Sequence, residues 1–262
     1  MLLLALKLVL SPLLLLGATL AGRRWGPGVS GWLAALPLSS GPVSLIFALQ
    51  NGKDFAAHAA VGTLAGLVSV SAYCVVYCRL ARTQPWHICI GAAVVTFFAT
   101  TAILYQLPLA LLPTYAAVLA TLTVALRLIP PPPALTEKVT PPQWDLPARV
   151  LTAIVFVLLL SYAAEWLGPQ LSGLLSPFPI FATILAVFAH AQHGASAAIL
   201  SQRGILTGLY AFASFFLTVG LLVTVLPIPV TYAAAVLVAL SVNLLTLRFI
   251  RSEKRAAFDP EL

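Results

Sequence analysis

The sequence predicts an all-α, polytopic membrane protein with nine transmembrane helices, which form an internal repeat of five and four helices with inverted topology. Three observations lead to this prediction. Of the 262 residues, 61% are hydrophobic and only 8% are charged, whereas soluble globular proteins carry about 25% charged residues. The apolar residues form nine long segments, and the two halves of the chain match each other. This composition excludes a soluble enzyme, a nucleic-acid-binding protein and a secreted disulfide-rich domain.

Nine segments are long enough to cross a bilayer, because a spanning helix needs about 20 mostly apolar residues. Charges, glycines and prolines separate them, and proline both lacks an amide hydrogen and disfavours helix at the preceding residue. The segments cover residues 2–22, 29–50, 55–78, 86–106, 108–127, 147–166, 171–190, 198–226 and 228–248.

The basic residues predict the orientation of these spans. With nine crossings, Lys7 and Lys53 lie on one side and eleven other basic residues lie on the opposite side. Because cytoplasmic loops are enriched in lysine and arginine, we expect the N-terminus outside and the C-terminus in the cytoplasm. The expected location is the cell inner (plasma) membrane.

The first half of the chain matches the second half without gaps over residues 26–67, at an offset of 142 residues. Glycines and prolines carry the match, since Pro37 falls on Pro179 and Gly52 falls on Gly194. Such matches are more informative than leucine or alanine matches, which are common in any membrane protein.

A second match pairs residues 114–117 with residues 231–234, at an offset of 117. The two offsets differ by 25 residues, about the length of one spanning helix. The first copy therefore contains one additional helix, and the second copy enters the membrane from the opposite face. Inverted repeats of this kind are common in secondary transporters.

The repeat divides the chain into four parts. They are a first repeat of five helices (1–128), a proline-rich cytoplasmic linker (129–146), a second repeat of four helices (147–250) and a cytoplasmic tail (251–262). Proline-rich linkers are extended and semi-rigid.

Prolines interrupt two predicted helices at corresponding places in the two copies, at Pro37 and Pro42 in the first and at Pro177 and Pro179 in the second. Within the membrane, backbone N–H and C=O groups without a helical hydrogen bond are tolerated only where they are buried in protein or face water. Paired broken helices therefore indicate a transporter binding site. The alternative is a plain kink that tightens helix packing.

Polar side chains near these breaks are the candidate substrate-binding residues. We expect the serine hydroxyls near the membrane midplane. The other polar residues should form two groups, one near the outer face and one near the cytoplasmic face, as the two gates of a transporter would. The alternative is that these residues only contact lipid headgroups. The candidates are Ser39, Ser40, Gln50, Asn51, His190, Gln192, His193 and Arg203.

Arg203 lies inside the eighth predicted span, where a charge costs about 2.5–3.5 kcal/mol on insertion scales. It either attracts an anionic ligand or extends its side chain to the cytoplasmic face. Glu165 is expected near the opposite face, which makes it a poor partner.

Small residues one turn apart predict close helix packing. Two such pairs, Gly62 with Gly66 and Gly204 with Gly208, are equivalent in the two copies. We expect the copies to cross each other at these glycines.

No sequence motif supports catalysis, a cofactor or a metal ion. The chain contains no nucleophile elbow, phosphate-binding loop, zinc-binding helix or paired intramembrane carboxylates. Cys74 and Cys78 share a helix face, but no further ligand is near them in the sequence. We therefore expect neither an enzyme nor a metal site.

The second half resembles the GlpM-like small membrane proteins, which are short four-helix proteins. The resemblance spans residues 149–248 and rests on the segment 173–182, which contains Pro177-Phe178-Pro179, followed by Ser196, Gly204 and Tyr210. The first copy departs from this pattern at residues 38–42. The resemblance implies a duplicated membrane module and carries no information about a substrate.

These features predict a small secondary transporter or exporter that works by alternating access between the two repeats. Its substrate is unknown, with an anion or a lipid-linked molecule as candidates. The alternative is a non-transporting scaffold or accessory subunit of an envelope polysaccharide or lipid pathway. Membrane lipids are the expected partners, nucleic acid is not, and a homodimer is compatible with the sequence.

Overall fold

The computed structural model describes residues 2–38, 40–132, 142–175 and 178–258, and their side chains except at 2–7, 160–161, 163–175 and 248–258. Every regular element within these ranges is a helix, as predicted. The helices are α1 (Leu2–Trp25), α2 (Pro27–Ala34), α3 (Ser40–Asn51), α4 (Lys53–Leu80), α5 (Trp86–Leu104), α6 (Leu111–Leu128), α7 (Asp145–Leu175), α8 (Ile180–Leu222) and α9 (Ile228–Phe258).

Five helices of the described chain are long and apolar enough to cross a membrane: α4, α5, α6, α8 and the Ile228–Leu247 part of α9. Large apolar side chains cover the outward faces of this group, and Val95, Leu237 and Leu244 are each at least 66% exposed. Exposed apolar surface on this scale fits contact with lipid. The predicted membrane helices are therefore confirmed in this coarser form, and the count of nine spans stays a prediction.

Three of the predicted spans have a different form in the structure. The segment 29–50 is divided into the short helices α2 and α3, which are separated by a non-helical segment that contains Pro37. Residues 180–190 of the predicted span 171–190 and residues 198–222 of the predicted span 198–226 lie in the single helix α8, which has a non-helical residue at Gly194, whereas residues 171–175 belong to α7. Proline chemistry accounts for the first interruption and glycine conformation for the second.

The two copies share a sharp corner at equivalent glycines. Gly52, between α3 and α4, has φ 88° and ψ 173°, and Gly194, inside α8, has φ 77° and ψ −176°. This backbone region is accessible essentially only to glycine. The corner is tight, because the rings of Phe47 and Phe55 lie 5.9 Å apart, whereas eight residues of straight helix rise about 12 Å.

Helix boundaries follow the two sequence offsets. The helices that leave the glycine corners end at Leu80 and at Leu222, which are 142 residues apart. The helices α6 and α9 begin at Leu111 and at Ile228, which are 117 residues apart. These helix boundaries are thus spaced by the same two offsets that relate the matching segments of the sequence.

The core is centred on α8, which packs against α2, α4, α6 and α9. Gly204 of α8 lies on the backbone of Gly28, and a Cβ atom on Gly208 would be 2.6 Å from the carbonyl oxygen of Trp32. A Cβ atom on Gly62, the equivalent of Gly204, would meet no described heavy atom within 4 Å. The close helix crossing is therefore between α8, at Gly204 and Gly208, and α2.

Candidate functional site

The first predicted helix break places its residues between α2 and α3. Pro37 lies in the non-helical segment, and Ser40 is the first residue of α3. Pro42 occupies the first turn of α3, where a helix does not need the amide hydrogen that proline lacks. Ser39 lies outside the described residues.

The second predicted break precedes α8. Pro179 is buried immediately before this helix, and Pro177 lies outside the described residues. Phe178 anchors the segment, since its ring lies 5.5 Å from that of Phe97 and 6.2 Å from that of Phe156. Aromatic contacts at such distances are favourable.

The predicted outer residues and the predicted inner residues have different environments. Gln50 and Asn51 are exposed at the end of α3, beside the Gly52 corner. Next to that corner, Lys53 Nζ donates a 2.8 Å hydrogen bond to the carbonyl oxygen of Leu226, which joins the α3–α4 corner to the turn before α9.

The predicted inner residue Gln192 belongs to a group of three charged residues and one amide that we call the Asp145 cluster: Arg23, Asp145, Arg149 and Gln192. Arg23 Nη2 lies 2.8 Å from Asp145 Oδ2, and Arg149 Nε lies 2.8 Å from Asp145 Oδ1. Gln192 Nε2 donates a 2.6 Å hydrogen bond to the same Oδ1 atom. The cluster ties α1 to the start of α7 and to α8.

Asp145 is ionised in this cluster. Burial by itself raises the pKa of Asp145, whose side chain is only 1% exposed, but hydrogen bonds from Arg23, Arg149 and Gln192 outweigh burial and hold the pKa below its ordinary value. Arg149 also lies over the ring of Phe188, with its Cζ atom 4.7 Å from the ring centre, an arrangement that stabilises a buried cation.

A small cavity of about 80 Å³, which we call the polar cavity, adjoins the Asp145 cluster. His193, another predicted site residue, lines it. Thr19 and Ser201 also line it, and both side chains are buried. Their hydroxyl oxygens have no hydrogen-bond partner among the described residues. Buried polar atoms without partners are rare and require an explanation.

A row of polar side chains lies between α4 and α8, which we call the buried polar row. Its members are His190, which is partly buried, and the buried residues Tyr73, Cys74, Tyr77, Thr183 and Gln202. The Tyr73 hydroxyl lies 3.0 Å from Thr183 Oγ1, and the Tyr77 hydroxyl lies 3.4 Å from His190 Nδ1. Gln202 is fully buried, and its Nε2 atom has no partner among the described residues. Polar groups at this depth are costly and usually functional.

Arg203 lies apart from the Asp145 cluster, at the end of α6. Its Nη1 atom donates to the carbonyl oxygen of Leu126 at 3.1 Å and to that of Ile129 at 3.4 Å. Helix C-termini leave carbonyls unpaired and carry partial negative charge. The guanidinium therefore caps α6.

A second, larger cavity of about 370 Å³, which we call the apolar cavity, lies between α1 and the α2–α3 break. Leu36 and Leu38 from the break line it, together with Leu13 and Trp25 of α1 and Phe181 of α8. Its walls are hydrophobic, so the space beside the first helix break suits a hydrocarbon group rather than a polar solute.

Sequence reasoning missed the most strongly polar part of this region. The spacing of Asp145 and Arg149, four residues apart at a helix start, is a recognisable ion-pair signal. Arg23 lies 122 residues before Asp145, and no local pattern relates them. The tyrosines of the buried polar row also lie in an ordinary apolar segment.

We compared the chain with models of known protein families, with characterised proteins and with solved structures, and nothing matches.

Proposed function

We propose that the protein is a small secondary transporter or exporter that works by alternating access between two inverted repeats, and that its substrate is anionic or lipid-linked. The observation that carries this proposal is the buried polar row. Its members come from α4 of the first repeat and α8 of the second, at the contact between the repeats. A conformational change between the repeats would expose this row to water from either side.

The inverted arrangement is supported by the directions of the helices. Tyr73 of α4 contacts Thr183 of α8, and Tyr77, farther along α4, contacts His190, farther along α8. The part of α8 before Gly194 therefore runs parallel to α4. The corner at Gly52 turns α3 back along α4. The segment of α8 that is equivalent to α3 therefore runs opposite to α3, as an inverted repeat requires.

A reciprocal pair of contacts gives independent support. Tyr73 contacts Thr183, and their equivalents at an offset of 142 are Phe215 and Gly41. A Cβ atom on Gly41 would lie 3.3 Å from the ring of Phe215. Contacts that are exchanged in this way are expected from a two-fold relation between two units.

The substrate class is supported by the two cavities. The polar cavity has two arginines and one aspartate in its wall, which favours an anion. The apolar cavity shares the helices α1 and α2 with the polar cavity and suits a hydrocarbon group. A lipid-linked anion combines both chemistries. The resemblance of the second half to GlpM-like proteins stays a proposal about origin and adds no substrate.

The second candidate function is a static scaffold or accessory subunit of an envelope polysaccharide or lipid pathway. The close contact of Gly204 and Gly208 with α2 favours this alternative, because such tight backbone packing resists movement. It predicts a stable partner in a gentle-detergent pull-down and no flux of any solute.

Flux into proteoliposomes tests the transport proposal, with candidate anions and lipid-linked anions as substrates. We expect Gln202→Leu to abolish flux, because it removes the buried amide and conserves volume, and we expect Thr121→Val on the exposed face of α6 to leave flux unchanged. Replacing both Ser40 and Arg203 tests the predicted site residues. Absence of flux for every substrate, together with a co-purifying partner, would favour the scaffold.

Cysteine labelling tests the inverted topology separately. Asn51 and His193 are equivalent residues, and the three native cysteines are fully buried. Asn51→Cys should react with an impermeant maleimide from outside and His193→Cys only from the cytoplasmic side. Labelling of both variants from the same side would contradict the inverted repeat.

A further inference from the structure

The polar cavity combines features that a water-filled gap does not explain. It lies between α1, α2, α7 and α8, and three of its lining side chains carry charge: Arg23, Asp145 and Arg149. The two arginines face a single carboxylate, which leaves one positive charge in excess in a largely buried place. An unbalanced buried charge is strongly unfavourable unless a counter-charge pairs with it.

The negative charge of Asp145 is offset by the two arginines that contact it, and its oxygens already accept three hydrogen bonds. Arg23, Arg149 and Gln192 supply them at 2.6–2.8 Å. Arg149 uses only its Nε atom in this bond, and a guanidinium has five N–H donors. Its terminal nitrogens remain to bind a further acceptor.

Two hydroxyl groups complete the donor set. Thr19 is 5% exposed and Ser201 is 1% exposed, and both line the cavity. Neither hydroxyl oxygen has a partner among the described residues. In proteins, phosphate oxygens accept hydrogen bonds from hydroxyl groups and from the terminal nitrogens of arginine.

The size and access of the cavity also suit one tetrahedral oxyanion. Its volume is about 80 Å³, and on this measure one water molecule needs about 10–15 Å³. The space is therefore large enough for a group of a few heavy atoms. Arg23, whose side chain is 32% exposed, marks the side from which solvent or a headgroup reaches it.

We propose that the polar cavity is a binding site for a phosphate-type oxyanion, held by Arg23 and Arg149 and by the hydroxyls of Thr19 and Ser201. The oxyanion is either a free phosphate or the phosphoryl headgroup of a lipid whose chain occupies the neighbouring apolar cavity. This inference concerns binding alone and does not depend on transport.

The test uses the full-length protein in a phosphate-free, non-ionic detergent. Phosphorus NMR line broadening and calorimetry measure the binding of inorganic phosphate in one arm and of phosphatidic acid in mixed micelles in the other, with chloride and phosphatidylcholine as reference ligands. If only inorganic phosphate binds saturably, the ligand of the site is a free anion. If only phosphatidic acid binds, the ligand is a lipid headgroup. No saturable binding in either arm overturns the proposal.

The double variant Thr19→Val/Ser201→Ala identifies the site. Since neither hydroxyl has a described partner, removing both leaves no protein group unpaired, and we expect the melting temperature to be retained. Binding should weaken by about tenfold or more, because hydrogen bonds to charged groups are lost. Ser241→Ala, whose hydroxyl bonds only within its own exposed helix turn, is the matched control and should bind normally.

Arg23→Gln provides a second variant that removes charge, and Arg24→Gln is its control at the neighbouring position. We expect Arg23→Gln to abolish phosphate binding and Arg24→Gln to retain it. Unchanged binding in both Arg23→Gln and the hydroxyl double variant would place the anion elsewhere and overturn the proposal. Binding without any flux in proteoliposomes would support this site and count against the transport proposal.

Discussion

Arg23 and Asp145 form an ion pair of 2.8 Å across 122 residues of chain, and this pair connects the end of α1 to the start of α7. The carboxylate also binds Arg149 and Gln192, so that one buried acidic group holds three helices together. Helices α1, α7 and α8 are therefore joined by electrostatics at this end, whereas α4 and α8 are joined largely by apolar packing.

Asp145→Asn should destabilise the protein by about 3 kcal/mol, because it leaves buried arginine charge without its partner. Thermal unfolding in detergent measures the effect. Asp54→Asn is the matched control, since Asp54 is exposed at the start of α4. Equal melting temperatures for Asp145→Asn and the wild type would show that the cluster does not hold the helices together.

The stability of the wild-type protein should fall in acid because of Asp145. Its pKa in the folded protein lies below the ordinary value of 3.8, so its contribution is fully present above that value and is lost as the pH falls through the folded pKa. The melting temperatures of wild type and Asp145→Asn, measured from pH 6 downward, should converge only below about pH 4. A difference that disappears already between pH 5 and 6 would contradict this assignment.

Arg203→Ala should cost about 1–3 kcal/mol of stability, because it removes charge-assisted hydrogen bonds to the end of α6. Arg127→Ala, on the exposed face of the same end of α6, is the control and should change stability little. Thermal unfolding and flux measured on the same samples separate two roles. A large loss of flux at unchanged stability would assign Arg203 to the substrate path rather than to capping.

Gly204→Ala should destabilise the fold by about 1–3 kcal/mol, since its new methyl group would meet the backbone of Gly28. Gly62→Ala, at the equivalent position of the first copy, meets no described atom within 4 Å and should be neutral or slightly stabilising. Urea or thermal unfolding of the two variants provides the comparison. Similar behaviour of both variants would contradict the unequal packing of the two glycines.

Gly52→Ala and Gly194→Ala should each cost about 1–3 kcal/mol, because both glycines have positive φ angles that a Cβ atom disfavours. Gly91→Ala is the control, since Gly91 lies inside α5 with open space around its Cα atom. Thermal unfolding measures all three variants. Tolerance of alanine at both corners would mean that the corners are not sharp in the folded protein.

Features that depend on neighbouring residues could be predicted well. The apolar segments and their prolines predicted helical elements. The match of Gly52 with Gly194 in the sequence falls on two residues that share one backbone conformation in the structure, which the sequence pattern did not predict. Hydropathy gave 29–50 as one span, and its prolines predicted an interruption, which the structure has at Pro37 between the short helices α2 and α3. A hydropathy pattern does not distinguish a broken helix from a continuous one.

The candidate site was predicted only in part for a physical reason. Gln192 and His193 were expected at a polar group near one membrane face, and both lie beside the Asp145 cluster. The residues that make this group polar, Arg23 and Arg149, were assigned only to loops and orientation. Their positions relative to Asp145 depend on how distant helices pack.

Composition and local chemistry alone determined that this protein is helical and that it carries helices suited to a bilayer. These properties are local or periodic, because lipid requires every backbone group to be bonded within its own helix. Only the tertiary structure decided which polar groups meet. The contact of Arg23 with Asp145, the row from Tyr73 to Gln202 and the cap of Arg203 on α6 all join residues whose distance in space is set by helix packing and not by their separation in the chain.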